Sequence, residues 1–172
     1  PDNNTSVILL INAVHPLDGK GVVRLRSLVA NAVAGANCPA PRTYFTHYYK
    51  RFLQFMNEPA ITSNDIVMLG NSLTEGGGDW GKRLGKDNVI NRGISGDVAM
   101  GIYDRLHQIL PGKPKQIFLL IGVNDISHDL STDSIVHMIE KNVTRIQRES
   151  PETKLYLQSL LPIDESFNRY KK

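Results

Sequence analysis

Ile66-Val67-Met68-Leu69-Gly70-Asn71-Ser72-Leu73 is the stretch whose reading decides the fold. Four apolar residues in a row are short enough for a buried strand, and Gly70 closes it. A polar turn carrying a serine follows at once. Upstream, Thr43 to Asn57 is rich in aromatic and long side chains and reads as a helix, with Pro59 just past its end. Downstream an alternation begins. Gly76-Gly77-Gly78 is a loop, Trp80 to Leu84 a short helix and Asn88-Val89-Ile90-Asn91 a short strand. Val98 to Leu110 reads as a helix stopped by Pro111-Gly112. Gln116 to Ile121 is a strand without polar alternation, as expected when both faces are covered. Thr132 to Glu149 is a helix with Asp133 near its positive end, Pro151 stops it, and Lys154 to Ser159 is the next strand.

Strands alternating with helices of this length predict an α/β fold with a parallel sheet, in the order 2-1-3-4. In such sheets ligands gather beyond the carboxyl ends of the strands. Three polar turns stand there: Gly70-Asn71-Ser72-Leu73, Asn91 to Asp97, and Gly122-Val123-Asn124-Asp125. If the strands are neighbours, the turns meet at one edge.

Ester cleavage asks for such a set. A hydroxyl attacks a carbonyl carbon, and the oxygen that becomes negative needs donors already in place. Ser72 offers a hydroxyl and a backbone N–H. Gly96 offers an N–H with no side chain in the way, and Asn124 an amide. Gly70-Asn71-Ser72-Leu73 resembles the Gly-Asp-Ser-Leu block of the SGNH (GDSL-type) hydrolases. Ile94-Ser95-Gly96-Asp97 resembles their second block and Gly122-Val123-Asn124-Asp125 their third, in the same order and spacing. The stretch Tyr44 to Lys172 most resembles the bacterial platelet-activating-factor acetylhydrolase-like branch. The resemblance implies a flavodoxin-like three-layer α/β/α sandwich. It implies Ser72 as nucleophile, with Ser72, Gly96 and Asn124 as oxyanion hole, and an O-acyl, often O-acetyl, ester of a carbohydrate or lipid as substrate. No cofactor is required.

Two departures stand out. Asn71 replaces the family's Asp, and is expected near the substrate. The family's Asp-x-x-His block, which supplies the base, is missing near Lys172, and serine without a base is a poor nucleophile at neutral pH. At the other end, Val7 to Ile11 followed by Asn12-Ala13-Val14-His15-Pro16 resembles the family's closing section, with Asn12 where its Asp would stand. Residues 1–36 are therefore expected as a strand-loop-helix of that kind, 37–42 as a linker, and 43–172 as the hydrolase domain without its usual end. The N-terminal segment is either the tail of a preceding similar domain or the completion of this site, by circular permutation or by exchange with a second molecule. His15 is the histidine in a matching context and the candidate base. Without one, the same pocket would be a non-catalytic ligand-binding domain or an incomplete fragment.

Other residues have plainer readings. Asp97 and Asp125 are expected to cap helices or brace loops. His128 could line the cleft. His107 and His137 are structural or solvated, His47 packs on an aromatic face, and Glu75, near Ser72, either touches substrate or, as the first reading, is a solvated loop acid. Trp80 either walls the pocket or fills the core. Gly76 to Lys82 has phosphate-loop spacing, but Arg83 stands where Ser or Thr should hold magnesium, so nucleotide binding is not expected. No cluster has metal-ligand spacing.

The whole chain of 172 residues suits a domain of ordinary composition, 41% apolar and 22% charged. A net charge of +3 makes no case for nucleic acid, and no apolar run is long enough to span a bilayer. The lone Cys38 cannot form an internal disulfide. Leu28 to Ala34 after Arg24 and Arg26 could imitate a signal peptide but reads as an amphipathic helix. A natural start near Val22 would make it an export signal, so a secreted or periplasmic location is expected over a cytoplasmic one.

Overall fold

A computed structural model of the chain describes residues 42–161. Contacts divide the chain into Pro1–Phe45 and Thr46–Lys172, and every element described lies in the second unit. His15, Cys38, the predicted strand and helix before residue 37 and the basic end after residue 168 fall outside the described residues.

The elements follow in the order α1 (Thr46–Asn57), β1 (Ile66–Gly70), α2 (Ser72–Gly76), α3 (Trp80–Leu84), β2 (Val89–Gly93), α4 (Ala99–Arg105), β3 (Gln116–Leu120), α5 (Val123–Ser127), α6 (Thr132–Glu149) and β4 (Lys154–Leu157). The four strands are parallel and lie in the order β2-β1-β3-β4, as the alternation predicts. Chain order reverses across β1, which makes the carboxyl edge beside it the switch point where ligands bind in open sheets.

The apolar runs pack as their pattern dictates. Val67 and Leu69 of β1 and Ile117 and Leu119 of β3 are fully buried and share one face with Ile90 and Leu155. Ile102, Leu106, Ile109 and Ile146 cover that face. Burying each such side chain contributes about 1.5–3 kcal/mol relative to exposure. Asn142 ties the helices above it, its Nδ2 donating to Ala99 O at 2.8 Å from the middle of α6. Ser131 caps α6 by accepting from Ser134 N. The opposite face differs from expectation. Gln116, Phe118 and Leu120 are only half-buried, Phe118 stacks on Tyr156 at 4.6 Å, and Tyr156 is 43% exposed. An unbroken apolar run thus does not here mean equal cover on both faces among the described residues.

Three further boundaries depart from the sequence reading. The helix expected from Val98 to Leu110 is α-helical only to Arg105 and then tightens into two 3-10 turns, Leu106–Gln108 and Leu110–Gly112. Pro111 has no N–H to continue the ladder, and its ring crowds the preceding turn. Ser72–Gly76 and Val123–Ser127, read as plain turns, are one-turn helices. Neither segment carries an apolar periodicity that would mark it as a helix.

Candidate active site

Strand register brings the three turns to one level, since Gly70 pairs with both Gly93 and Leu120 at the carboxyl edge. The α2 helix sits directly on this edge. A Cβ on Gly70 would lie 2.3 Å from Thr74 Oγ1 and 2.4 Å from Leu120 O, and one on Gly93 would lie 2.2 Å from Glu75 N. Gly93→Ala is therefore expected to destabilise the fold by about 1–3 kcal/mol, read as a lower urea midpoint at unchanged slope.

The α2 helix is held at both ends. Asn71 is fully buried and its Oδ1 accepts from Leu73 N at 3.1 Å, which caps the helix. The carboxamide expected near the substrate is thus engaged, through its oxygen, in holding the helix that begins at Ser72. Its Nδ2 is buried without a partner among the described residues. At the other end, Asn91 Nδ2 donates to the carbonyls of Thr74, Glu75 and Gly78 at 2.9–3.2 Å, and Trp80 Nε1 donates to Thr74 O at 2.8 Å. Trp80 is thus half-buried as a brace for α2. Ser72 opens the helix, exposed, with no hydrogen bond to its hydroxyl among the described residues. As the first helical residue, its N–H has no partner within the helix.

The second turn runs from Ile94 to Asp97, closed by Asp97 N donating to Ile94 O at 3.0 Å. Gly96 has φ +83° at its third position, the conformation a type II turn requires and glycine supplies without strain. Ser95 N donates to Glu75 Oε2 at 2.5 Å, which leaves Gly96 N–H as the turn's donor without a partner among the described residues.

Hydrogen bonds join the three turns. Asn124 Nδ2 donates one hydrogen to Asp97 O at 2.8 Å and keeps a second. Asp125 accepts from Ala99 N through both carboxylate oxygens at 3.1 Å, capping α4 from the third turn. Arg105, without exposure, donates through Nε to Asp97 Oδ2 at 2.9 Å and through Nη2 to Gly70 O at 3.1 Å. One guanidinium thereby fixes the first turn to the second.

Burial pushes the Asp97 carboxyl up to about 6, with Arg105 and the Val98 N–H pulling it back. Burial also raises Asp125, against the Ala99 N–H. These braces match the roles expected of the two aspartates.

Two expectations are corrected. Glu75 is no free loop acid: His47 Nε2 lies 3.0 Å from both its oxygens and Arg51 Nε 3.2 Å from Oε1. Burial acts to raise its pKa, but hydrogen bonds from His47 and Ser95 outweigh this and hold it below the usual range. His47 accordingly faces a carboxylate, not an aromatic surface. Glu75 lies 28 residues from His47 and 20 from Ser95, so no local pattern announces the group. His128 is exposed at the end of α5, its N–H donating to Asn124 O at 3.0 Å. His107 rests on Asp104 O and the Phe52 ring, and His137 is exposed on α6. A cleft of about 780 Å³, lined in part by Arg51, Glu58, Asn91 and Arg92, runs along β2 and reaches Glu75 but not Ser72, Gly96 or Asn124.

A serine-bearing helix, a glycine turn and an asparagine turn, tied together by hydrogen bonds at the switch point of a parallel sheet, define an α/β protein with its polar turns gathered at one edge. Residues 68–171 match the GDSL-like lipase/acylhydrolase family, and the chain belongs to that family. Three solved structures share the fold. A protein from Streptococcus pneumonia, provisionally described as a platelet activating factor, is 24% identical with a TM-score of 0.62 over 84% of this chain. A GDSL-like lipase from Bacteroides thetaiotaomicron is 22% identical with a TM-score of 0.55 over 69%. A provisionally described acylhydrolase from Bacteroides fragilis is 23% identical with a TM-score of 0.55 over 70%. The chain spans 64%, 60% and 61% of the lengths of those proteins. No curated protein matches it. Among the described residues no group of side chains could hold a metal ion, and no helix is long and apolar enough to cross a membrane.

Proposed function

We propose that this chain is a serine esterase that cleaves O-acyl, and foremost O-acetyl, esters of a carbohydrate or lipid through an acyl-enzyme. The observation that carries the reading is the set of donors that have no partner among the described residues on three turns tied together by hydrogen bonds: Ser72 N–H, Gly96 N–H and the second hydrogen of Asn124 Nδ2. Asn71 Oδ1, the Asp97 carboxylate and the Asp125 carboxylate on the same turns are engaged in holding them. Donors fixed in advance stabilise a developing oxyanion without reorganising during the reaction.

Ser72 Oγ adds to the ester carbonyl carbon, and the carbonyl electron pair moves onto oxygen beside these donors. A histidine takes the hydroxyl proton and returns it to the departing alkoxide as the tetrahedral species collapses. Water then adds to the acyl-enzyme by the same route and releases the carboxylic acid. His15, the histidine whose sequence context matches the family's base, is the proposed base.

The test is hydrolysis of a chromogenic acetate by the chain and by His15→Ala, Asn124→Ala and Ser72→Ala. Asn124→Ala is expected to lower kcat by roughly a hundred- to a thousandfold, the usual consequence of losing one oxyanion donor. Loss in His15→Ala as well supports the completed site. Loss in Ser72→Ala with full activity in His15→Ala assigns the base elsewhere. No hydrolysis by the parent, at any chain concentration, removes the esterase reading in favour of a ligand-binding domain.

A further inference from the structure

We infer that Glu75 is a positioning residue that aims the Gly96 N–H, by clamping the preceding amide of Ser95 to the helix that carries Ser72. The inference rests on the esterase reading for its kinetic part only.

The clamp is built from three elements. Glu75 stands one helical turn after Ser72 on α2, so the nucleophile and the carboxylate move as one body. Its Oε2 accepts from Ser95 N at 2.5 Å across the sheet edge. Its two oxygens are themselves fixed by His47 Nε2 at 3.0 Å and Arg51 Nε at 3.2 Å, both from α1. Arg51 is fixed in turn, donating to Gly93 O at 3.3–3.4 Å and lying 4.6 Å over the Phe55 ring. The carboxylate therefore has little freedom to swing away.

Its effect on Gly96 follows from the turn. With φ +83° at Gly96, the Ser95–Gly96 peptide plane is the part of the Ile94–Asp97 turn that the closing hydrogen bond leaves free to rotate. Flipping that plane would turn the Gly96 N–H away from the oxyanion and present a carbonyl oxygen instead. A charge-assisted bond to the Ser95 amide restrains the residue on one side of the plane, and the Asp97–Arg105 pair restrains the other side. Since Glu75 shares a helix with Ser72, the restraint also sets the distance between the two oxyanion donors.

The experiment compares the parent chain with Glu75→Ala and Glu75→Gln by amide NMR and by hydrolysis of a chromogenic acetate. In the parent the Ser95 amide proton is expected well downfield, as a short bond to a carboxylate requires. In Glu75→Ala it is expected to move upfield, with the Gly96 amide shifting alongside it. The same variant should lose roughly tenfold to a hundredfold in kcat, as small misplacements at a reacting centre do, with KM within about twofold of the parent. Glu75→Gln keeps an acceptor oxygen and should recover most of kcat, which a residue needed only for folding would not predict. Parental kcat in Glu75→Ala despite a displaced Ser95 amide would overturn the positioning role. Unmoved Ser95 and Gly96 amides in Glu75→Ala would overturn the clamp itself, and that result is legible even if the parent hydrolyses no ester and the esterase reading falls alone.

Discussion

Ser72→Ala is expected to lower kcat for a chromogenic acetate by roughly four orders of magnitude or more. The side chain is exposed at the first position of α2, and its hydroxyl bonds to nothing among the described residues, so little else depends on it. Stability should stay within about 0.5 kcal/mol of the parent, as for other surface substitutions away from special features. The pairing of a large kinetic loss with an unchanged melting curve is what separates a nucleophile from a structural serine. The neighbouring hydroxyls are poor substitutes. Thr74 is buried against the Gly70 backbone, and Ser95 sits on the turn whose amide Glu75 holds. A covalent check is independent of turnover: a fluorophosphonate should add to Ser72 in the parent and to nothing in the variant. Hydrolysis at the parental rate in Ser72→Ala would remove the serine mechanism altogether.

Arg105→Met should cost about 3–5 kcal/mol, because it leaves the Asp97 carboxylate buried without its cation. Both side chains have no exposure, and the pair closes the first turn onto the second through Asp97 and the Gly70 carbonyl. Methionine keeps much of the apolar volume, so the loss reports charge and hydrogen bonds more than packing. For a unit of this size the shift in Tm is on the order of 10 °C. The sign with pH is specific. Asp97 is held near 6, above the value of about 3.9 that the unfolded chain would show. Its contribution to stability is thus fully present below about pH 4 and lost as pH rises through about 6. Removing Arg105 takes away the cation that limits this loss. The deficit of the variant should therefore be smaller at pH 4–5 than at pH 8, measured by urea unfolding at each pH. A second change, Asp97→Asn, should return part of the stability at pH 8, since a neutral partner no longer needs the cation. A deficit that does not change with pH would refute the electrostatic account and leave only packing.

Much of this arrangement was legible in the chain. The apolar runs at Ile66–Leu69 and Gln116–Ile121 announce strands, and their alternation with helices announces a parallel sheet. The long helix at Thr132–Glu149 shows its cap, its acidic first turn and its proline stop. What was not legible shares one property. The bracing of the α2 helix by Asn91 and the Glu75 clamp depend on groups that meet only when strands align. Asn71 illustrates the division: its identity suggested a substrate contact, while the backbone around it made it a buried cap.

By itself the sequence determined the order of elements, the parallel sheet and the three turns beyond its carboxyl edge, because burial periodicity and turn chemistry act over a few residues. The tertiary structure alone decided which polar atoms on those turns are bound and which remain free. That choice is made by partners 8 to 35 residues apart, such as Arg105 with Asp97 and with Gly70, or Glu75 with Ser95 and with His47. Each buried donor or acceptor must find a partner once water is excluded, and only the packed chain settles which one it finds.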